Sequence, residues 1–217
     1  MKLQKILTHS GAQLGLEIEP EMVEKFETYS DLLIKWASKI NLTSITDPET
    51  IAVSHFIDSL TVLRHIEPGA SVLDIGAGAG FPGIPVKICR PSINLVLADS
   101  REKRVFFMRE IIRELELENT RAVKARAGKE NGKIGGGFDV AVARAVAKSP
   151  EVARAALPLV KEGGIVLIMK GKNGAREWEE EERLIPQGSV FHTSEELTLP
   201  TSGEIRFVVA LKKRKET

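Results

Sequence analysis

The sequence predicts an α/β fold in which a mainly parallel sheet ends in an antiparallel hairpin and is preceded by a helical region. Three observations predict it. Apolar residues recur at helical spacing up to residue 66, short apolar runs then alternate with amphipathic segments, and two β-like runs joined by a Pro-Thr-Ser-Gly turn close the chain. We therefore expect a helical part, 1–66, and an α/β domain, 67–217.

The helical part is predicted from the spacing of its apolar residues. Pro20 opens a long helix, which ends before the irregular stretch 41–43. Asp47-Pro48-Glu49 then resembles a helix start with proline at its first position, and the helix that follows ends at Pro68-Gly69. Residues three and four apart share one face of the long helix: Met22, Val23, Phe26, Tyr29, Leu32, Leu33 and Trp36.

Five apolar runs predict the parallel strands, at 71–75, 95–98, 120–125, 138–143 and 165–169. Helices are predicted after the first strand and at 102–117, 150–160 and 177–183, the last being acidic and solvent-facing. The runs 190–199 and 204–212 predict the hairpin. Five βα units closed by such a hairpin are typical of the Rossmann-like class I fold of S-adenosylmethionine-dependent methyltransferases.

Composition and charge exclude several classes of protein. Hydrophobic residues make up 42% and charged residues 28%, as in ordinary globular proteins, and the net charge is only +1. No apolar run approaches the roughly 18 residues of a membrane span, and Ile6-Leu7 is too short an apolar stretch for a signal peptide. The single cysteine, Cys89, excludes an internal disulfide and a cysteine-based zinc site. We expect a cytoplasmic protein without a metal or a membrane partner.

The most informative segment is the glycine-rich loop after the first strand, in the sequence Val-Leu-Asp-Ile-Gly-Ala-Gly-Ala-Gly-Phe-Pro-Gly of residues 72–83. Gly76, Gly78 and Gly80 let the backbone turn sharply and let a ligand approach, and the next helix presents free N–H groups. Asp99 ends the second strand, where a carboxylate can accept hydrogen bonds from both ribose hydroxyls. Alternatively, Asp99 only caps the following helix, with Glu102 completing a capping box.

Two classes of cofactor share this layout. A GxGxxG dinucleotide fingerprint occurs at 78–83, but it starts two residues beyond the strand and contains Pro82. The frame that starts at the strand end is Gly76-x-Gly78-x-Gly80, preceded by Asp74. An acid suits the ammonium group of S-adenosylmethionine and disfavours a diphosphate; otherwise Asp74 is a buried acid bonded to loop amides. The sequence favours S-adenosylmethionine, with an NAD(P)-dependent oxidoreductase as the alternative.

Several stretches in order resemble the RsmG (GidB) family of bacterial methyltransferases, over most of the chain. They are Asn-Leu-Thr-Ser-Ile at 41–45, His-Phe-Ile-Asp-Ser-Leu at 55–60, Gly-Ala-Gly-Phe-Pro-Gly-Ile-Pro at 78–85, Asp-Ser at 99–100 with Lys-Arg-Val at 103–105, and Arg-Ala at 144–145. The resemblance implies methyl transfer from S-adenosylmethionine to N7 of a guanine in 16S ribosomal RNA, either free or within the 30S subunit. Nothing in the sequence requires a protein partner, and we expect a monomer.

The resemblance also implies roles for individual residues. Gly76 and Phe81 are expected to contact the cofactor, Asp99 to hold the ribose, and Arg144 to lie at the active site. Methylation of guanine N7 needs no base, because the lone pair is already free; it needs alignment and stabilisation of the arriving charge. Arg144 is therefore expected to hydrogen-bond guanine O6 or a phosphate.

The segment after the third strand is expected to border the adenine through Ala127 and Gly128. The family usually has an acid directly after the position of Ala127, so this sequence departs from the pattern at Gly128. Either backbone contacts suffice there, or Glu130 substitutes for the acid.

The remaining candidate residues concern RNA. His55 and Asp58 lie three residues apart on one helix face and are expected to form a rim that meets RNA or the glycine loop, or else a structural hydrogen-bonded pair. An assembly factor that keeps the donor pocket without turnover is a further alternative. Basic clusters can equally be solvated helix faces. The residues expected to bind phosphates are Lys103, Arg104 and Arg126.

Overall fold

The structure is a computed structural model that describes residues 2–215. Met1, Glu216 and Thr217, at the outer ends of the two predicted parts, lie outside the described residues. The α-helices are α1 (Lys2–Gln13), α2 (Pro20–Ala37), α3 (Pro48–Ile51), α4 (Asp58–Leu60), α5 (Gly83–Cys89), α6 (Glu102–Glu114), α7 (Asn131–Ile134), α8 (Ser149–Ala156) and α9 (Gly174–Glu181). The strands are β1 (Ser71–Ile75), β2 (Asn94–Asp99), β3 (Thr120–Lys124), β4 (Phe138–Arg144), β5 (Val160–Lys170), β6 (Ser189–Thr198) and β7 (Ile205–Lys213).

The seven strands form one sheet in the order β3-β2-β1-β4-β5-β7-β6. Strands β1 to β5 pair in parallel, whereas β7 runs antiparallel to β5 and β6, which confirms the predicted terminal hairpin. The chain moves outward from β1 through β2 and β3, then crosses to the other side of β1 to form β4. Such a reversal opens a crevice at the carboxyl ends of the two central strands, where ligands of α/β sheets bind.

Two hydrophobic clusters cover the two faces of the sheet. One contains Val72 and Leu97 together with α2, α5 and α6, so the N-terminal helices pack against the sheet. The other contains Leu73 and Ala98 together with α8 and Trp178 of α9. Neighbouring residues of β1 and of β2 thus face opposite sides, as the two-residue period of a strand requires. The division of the chain at residue 66 stays a prediction.

The structure differs from the predicted elements in several places, including α6, which ends at Glu114 rather than 117, and α7, which was not predicted. The predicted helix after residue 48 is α3, a π-helical turn (Ala52–Ile57) and α4. The helix predicted at 150–160 ends at Ala156. β5 begins at Val160 rather than 165, because a bulge at its pairing with β4 accommodates the two glycines 163 and 164. α9 begins before 177 and buries Trp178, so it is only partly solvent-facing.

Among residues 2–215, no helix combines the length and apolarity that a membrane crossing requires. Within the same range, no three or more histidine, cysteine or acidic side chains are grouped in a way that would hold a metal ion.

Candidate active site

A cavity of about 590 Å³ opens at the carboxyl ends of β1 and β4. This volume lies within the range of roughly 300–1,000 Å³ that small-molecule sites occupy. Its walls come from the loop after β1, the ends of β4 and β5, the π-helical turn, the segment 42–45 and the start of β7. Seven of the residues predicted at the site line it: His55, Asp58, Gly76, Gly78, Phe81, Arg104 and Arg144.

The glycine loop needs its glycines for two reasons. Gly76, Gly78 and Gly80 have φ values of +68°, +60° and +100°, in the left-handed region that side chains disfavour. A Cβ on Gly80 would lie 2.8 Å from the Tyr29 hydroxyl, whereas one on Gly78 would have no neighbour closer than 3.8 Å. Gly80 therefore packs inward, and Gly78 leaves space at the cavity wall.

Asp99 joins the glycine loop to the start of α6. Its Oδ2 accepts from the Gly78 N–H at 3.1 Å and from Arg104 Nη1 at 3.3 Å, and its Oδ1 accepts from the Arg101 N–H at 2.8 Å. Glu102 pairs instead with Lys124, so a capping box is not formed. Asp99 is only 3% exposed and lies behind the lining residues Gly78 and Arg104.

Asp74 is fully buried beneath the same loop and does not line the cavity. Its Oδ2 accepts from the Gly83 N–H at 2.7 Å. Burial raises the pKa of this carboxyl to about 7, against the lowering effects of that hydrogen bond and of Arg144. This geometry is that of the alternative in which Asp74 is a buried acid bonded to a loop amide.

An aromatic stack supports the cavity from the helical side. The His55 ring lies 4.6 Å from Phe81, and Phe81 lies 5.4 Å from Tyr29, whose hydroxyl donates to the Ala79 carbonyl. His55 Nε2 is 2.9 Å from the Thr43 hydroxyl. Burial, followed by the charge of Arg144, lowers the pKa of His55 to about 4. The ring is therefore neutral at neutral pH.

Asp58 holds two arginines at the cavity mouth. Its Oδ2 lies 2.7 Å from Arg144 Nη1, and its Oδ1 lies 3.0 Å from Arg206 Nε. The carboxylate side chain is only 5% exposed and each arginine side chain 17%. The Arg144 guanidinium also lies 5.1 Å from the Phe81 ring and 3.3 Å from His55 Nδ1. His55 and Asp58 are thus linked through Arg144.

The π-helical turn explains how one short segment reaches this site. In it the Ser54 carbonyl accepts from Arg144 Nη1 at 3.2 Å, and the His55 carbonyl accepts from the Ser59 hydroxyl. A π-helical turn is wider than an α-helical one and is frequent at functional sites. It brings the polar side chains of His55 and Asp58 to the cavity, while Phe56 and Ile57 enter the core.

Several predicted site residues lie away from the cavity wall. Ala127, Gly128 and Arg126 follow β3, on the far side of β2, and Lys103 lines a neighbouring groove. The Gly128 N–H donates to Asn131 Oδ1 at 2.7 Å. The structure therefore does not bring these four residues to the cavity itself.

The comparison with known sequences assigns the chain to a family. The profile of a family described as rRNA small subunit methyltransferase G matches residues 22–202. A relative from Lachnoclostridium phytofermentans is 40% identical over 209 residues, covering 94% of this chain and 86% of the relative. One from Desulforamulus reducens is 41% identical over 223 residues, covering 97% and 92%. Both are named Ribosomal RNA small subunit methyltransferase G. This chain belongs to that family.

Solved structures confirm the predicted class I S-adenosylmethionine-dependent methyltransferase fold. TrmN from Thermus thermophilus matches with a TM-score of 0.57 and 22% identity over 71% of this chain and 48% of its own. TYW2 from P. horikoshii, in complex with MeSAdo, matches with a TM-score of 0.55 and 15% identity over 75% and 64%. At these identities they show the fold alone. Membership in the rRNA small subunit methyltransferase G family sets the oxidoreductase alternative aside.

Sequence reasoning missed two cationic residues that this family member places at the cavity. Arg206 is the second residue of the apolar strand β7 and pairs with Asp58, and Lys170 ends β5 and pairs with Glu181 at 3.0 Å. A polar residue at the carboxyl end of the strand next to Arg144 indicates a site residue, so Lys170 could have been predicted from the sequence. Arg206 lies on an antiparallel strand and gave no such signal.

Proposed function

We propose that this protein transfers the methyl group of S-adenosylmethionine to N7 of a guanine in 16S ribosomal RNA. The observation that carries the proposal is the placement of Arg144 beside the glycine loop in the wall of one cavity, in a chain of the rRNA small subunit methyltransferase G family. The relatives' name refers to small-subunit ribosomal RNA, and the methylated atom follows from the resemblance described above.

The residues at the cavity fit S-adenosylmethionine. Gly78 leaves space where a Cβ would stand, and Gly76 and Phe81 form the adjoining wall. When bound, S-adenosylmethionine supplies an electrophilic methyl group on a sulfonium. Asp99 would orient the loop through the Gly78 N–H and accept from the ribose if Arg104 moves aside.

The other expected cofactor residues act less directly in this proposal. Asp74 and Gly80 shape the loop from beneath, through the Gly83 amide and the Tyr29 hydroxyl. Ala127 and Gly128 would border the adenine through their backbone, from beyond the cavity described above.

The chain contributes alignment and charge rather than proton transfer. Asp58 fixes the Arg144 guanidinium, which can donate to guanine O6 or to a phosphate while N7 stays free. Neutral His55 adds no positive charge beside a cationic methyl donor. Arg144 also stacks over Phe81, so its fork is held from two sides.

The substrate is proposed to be 16S ribosomal RNA, either free or within the 30S subunit, bound by a monomer. Arg104 lies at the cavity and Lys103 in the neighbouring groove, so both can contact phosphates flanking the guanine. Arg126 is exposed beyond β3 and would contact more distant RNA.

The test is transfer of labelled methyl groups to RNA that lacks the modification. Purified protein, labelled S-adenosylmethionine and unmodified 30S subunits or free 16S RNA should give label in 7-methylguanine. Label in another nucleoside would contradict the N7 assignment. Donor binding without product on either substrate would favour an assembly factor without turnover.

A further inference from the structure

A second groove of about 440 Å³ adjoins the cavity and shares Arg104 with it. It lies between the segment that follows α2 and the first turn of α6. Because one arginine borders both spaces, a ligand in the cavity can continue into the groove.

The groove is cationic. Its lining includes Lys39, Arg101 and Lys103 in addition to Arg104, and one acid, Glu102, which pairs with Lys124 at 2.5 Å. Within the part of the chain that the structure describes, Lys39, Arg101 and Lys103 form no ion pair. Three uncompensated cations beside a catalytic cavity favour a polyanionic ligand.

An exposed aromatic ring lies on α6 one helical turn beyond the groove residue Lys103. Phe106 follows Lys103 by three residues on α6, so the two side chains share one face of the helix. Phe106 is 52% exposed, and its ring lies 5.7 Å from Trp36 at an angle of 50°. Lys39 Nζ lies 5.6 Å from the Trp36 ring. Rings flanked by lysines bind single-stranded nucleic acid, since bases stack on the rings and phosphates pair with the cations.

We propose that Phe106, backed by Trp36 and flanked by Lys39 and Lys103, is a stacking platform for an unpaired nucleotide of the RNA substrate, close to the guanine in the cavity. The RNA backbone follows the groove to Arg104. This inference rests on the proposed function and adds a contact outside the catalytic cavity, made by residues that hold neither the donor nor the reacting base.

The experiment compares Phe106→Ala, Phe106→Leu and Phe106→Trp with the unchanged protein. Loss of one stacked base should raise KM for unmodified 30S subunits, and Kd for a short fluorescein-labelled single-stranded RNA, about tenfold in the Ala and Leu variants. The Trp variant should restore both. kcat and the Kd of S-adenosylmethionine should not change. Leucine keeps the apolar contact with Trp36, so the Leu variant separates stacking from packing.

Phe191 offers a matched control. It is 54% exposed and lies 5.7 Å from Trp178, but on the other face of the sheet. Phe191→Ala should leave KM and the Kd of the RNA unchanged. Lys39→Gln and Lys103→Gln should each reduce the slope of log Kd against log salt by about 0.7.

The results separate the platform from the proposed function. An active protein whose KM and RNA affinity are unaffected by Phe106→Ala would overturn the platform alone. A raised KM on subunits with unchanged RNA affinity would mean that Phe106 contacts a ribosomal protein, which also overturns it. Absence of methyl transfer by the unchanged protein would refute the proposed function instead, and the RNA affinities would still test the platform.

Discussion

The two halves of the cavity are built in different ways. The donor half, proposed to hold S-adenosylmethionine, is built on the glycine-rich loop after β1, whose backbone amides donate to two carboxylates: Gly78 to Asp99 and Gly83 to Asp74. The acceptor half, proposed to hold the guanine, combines residues of separate elements, and one buried carboxylate, Asp58, holds it together through Arg144 and Arg206. The acceptor half should therefore depend on a single side chain much more than the donor half does.

The strongest test of this difference is Asp58→Ala. The substitution leaves Arg144 and Arg206 without their shared partner in a largely buried place. Breaking a buried ion pair costs about 3 kcal/mol or more. We expect a loss of that size in the free energy of unfolding, measured with urea, together with loss of methyl transfer.

Glu102→Gln is the control for Asp58→Ala, because Glu102 also pairs with a cation but at the surface. It should change neither stability nor turnover appreciably. Equal effects of the two substitutions would mean that Asp58 does not organise the acceptor half.

The next effect concerns turnover. Arg144→Ala removes the guanidinium proposed to donate a hydrogen bond to the guanine. Loss of one such hydrogen-bond donor typically lowers kcat about 10²-fold. The Kd of S-adenosylmethionine should stay within about twofold, since the contact of Arg144 with the donor half is its stacking over the Phe81 ring. Arg176→Ala, on an exposed arginine of α9, should change neither quantity. A larger effect on donor binding than on kcat would assign Arg144 to the donor half.

Asp99→Ala should instead weaken the binding of S-adenosylmethionine. It removes the acceptor of the Gly78 and Arg101 amides and of Arg104. We expect the Kd of S-adenosylmethionine, measured by calorimetry, to rise about tenfold, as for loss of a hydrogen bond to a charged group. Asp139→Asn is the control, because Asp139 accepts from Ser71 at the amino ends of β1 and β4, away from the cavity. Unchanged donor binding in Asp99→Ala would remove the basis of the donor half.

The two halves should also respond oppositely to pH. Asp74 has a pKa of about 7, so the folded chain keeps a proton that the unfolded chain releases near pH 4. This group lowers stability as the pH rises from about 4 to 7. His55 has a pKa of about 4, so the folded chain lacks a proton that the unfolded chain holds up to pH 6.5. It raises stability as the pH rises from about 4 to 6.5.

Substitutions separate these opposed contributions. After Asp74→Asn, the urea midpoint should rise more steeply with pH between about 4 and 6.5, because His55 remains. After His55→Gln, it should fall over the same range, because Asp74 remains. If the midpoint instead fell with pH after Asp74→Asn, or rose more steeply after His55→Gln, the pKa of one of the two buried groups would not be shifted as described.

The same contrast explains what could be predicted from the sequence. The residues of the donor half lie close together in the sequence, so the glycines and Asp99 were recognisable by their spacing alone. The Asp58 to Arg206 pair joins residues 148 positions apart, and no local pattern encodes such a contact. The π-helical turn was also missed, because a periodicity of three and four describes α-helices.

The smallest effect is expected at the segment after β3, where the sequence departs from the family's usual acid. Glu130 Oε2 accepts from the Arg126 N–H at 3.1 Å, and its Oε1 pairs with Lys133 at 2.5 Å. Its carboxylate is therefore committed within its own loop. Glu130→Gln should change the Kd of S-adenosylmethionine by less than about twofold, as for most exposed ion pairs.

Asn131→Ala is the informative companion to Glu130→Gln, since it frees the Gly128 amide from Asn131 Oδ1. If backbone contacts alone hold the adenine, Asn131→Ala should weaken the binding of S-adenosylmethionine slightly. The loss should be larger than the one caused by Glu130→Gln. A tenfold or greater loss in Glu130→Gln, a size expected for a hydrogen bond to a charged group, would instead show Glu130 replacing the family's acid. The donor half would then depend on a second carboxylate in addition to Asp99, and its contrast with the acceptor half would be weaker.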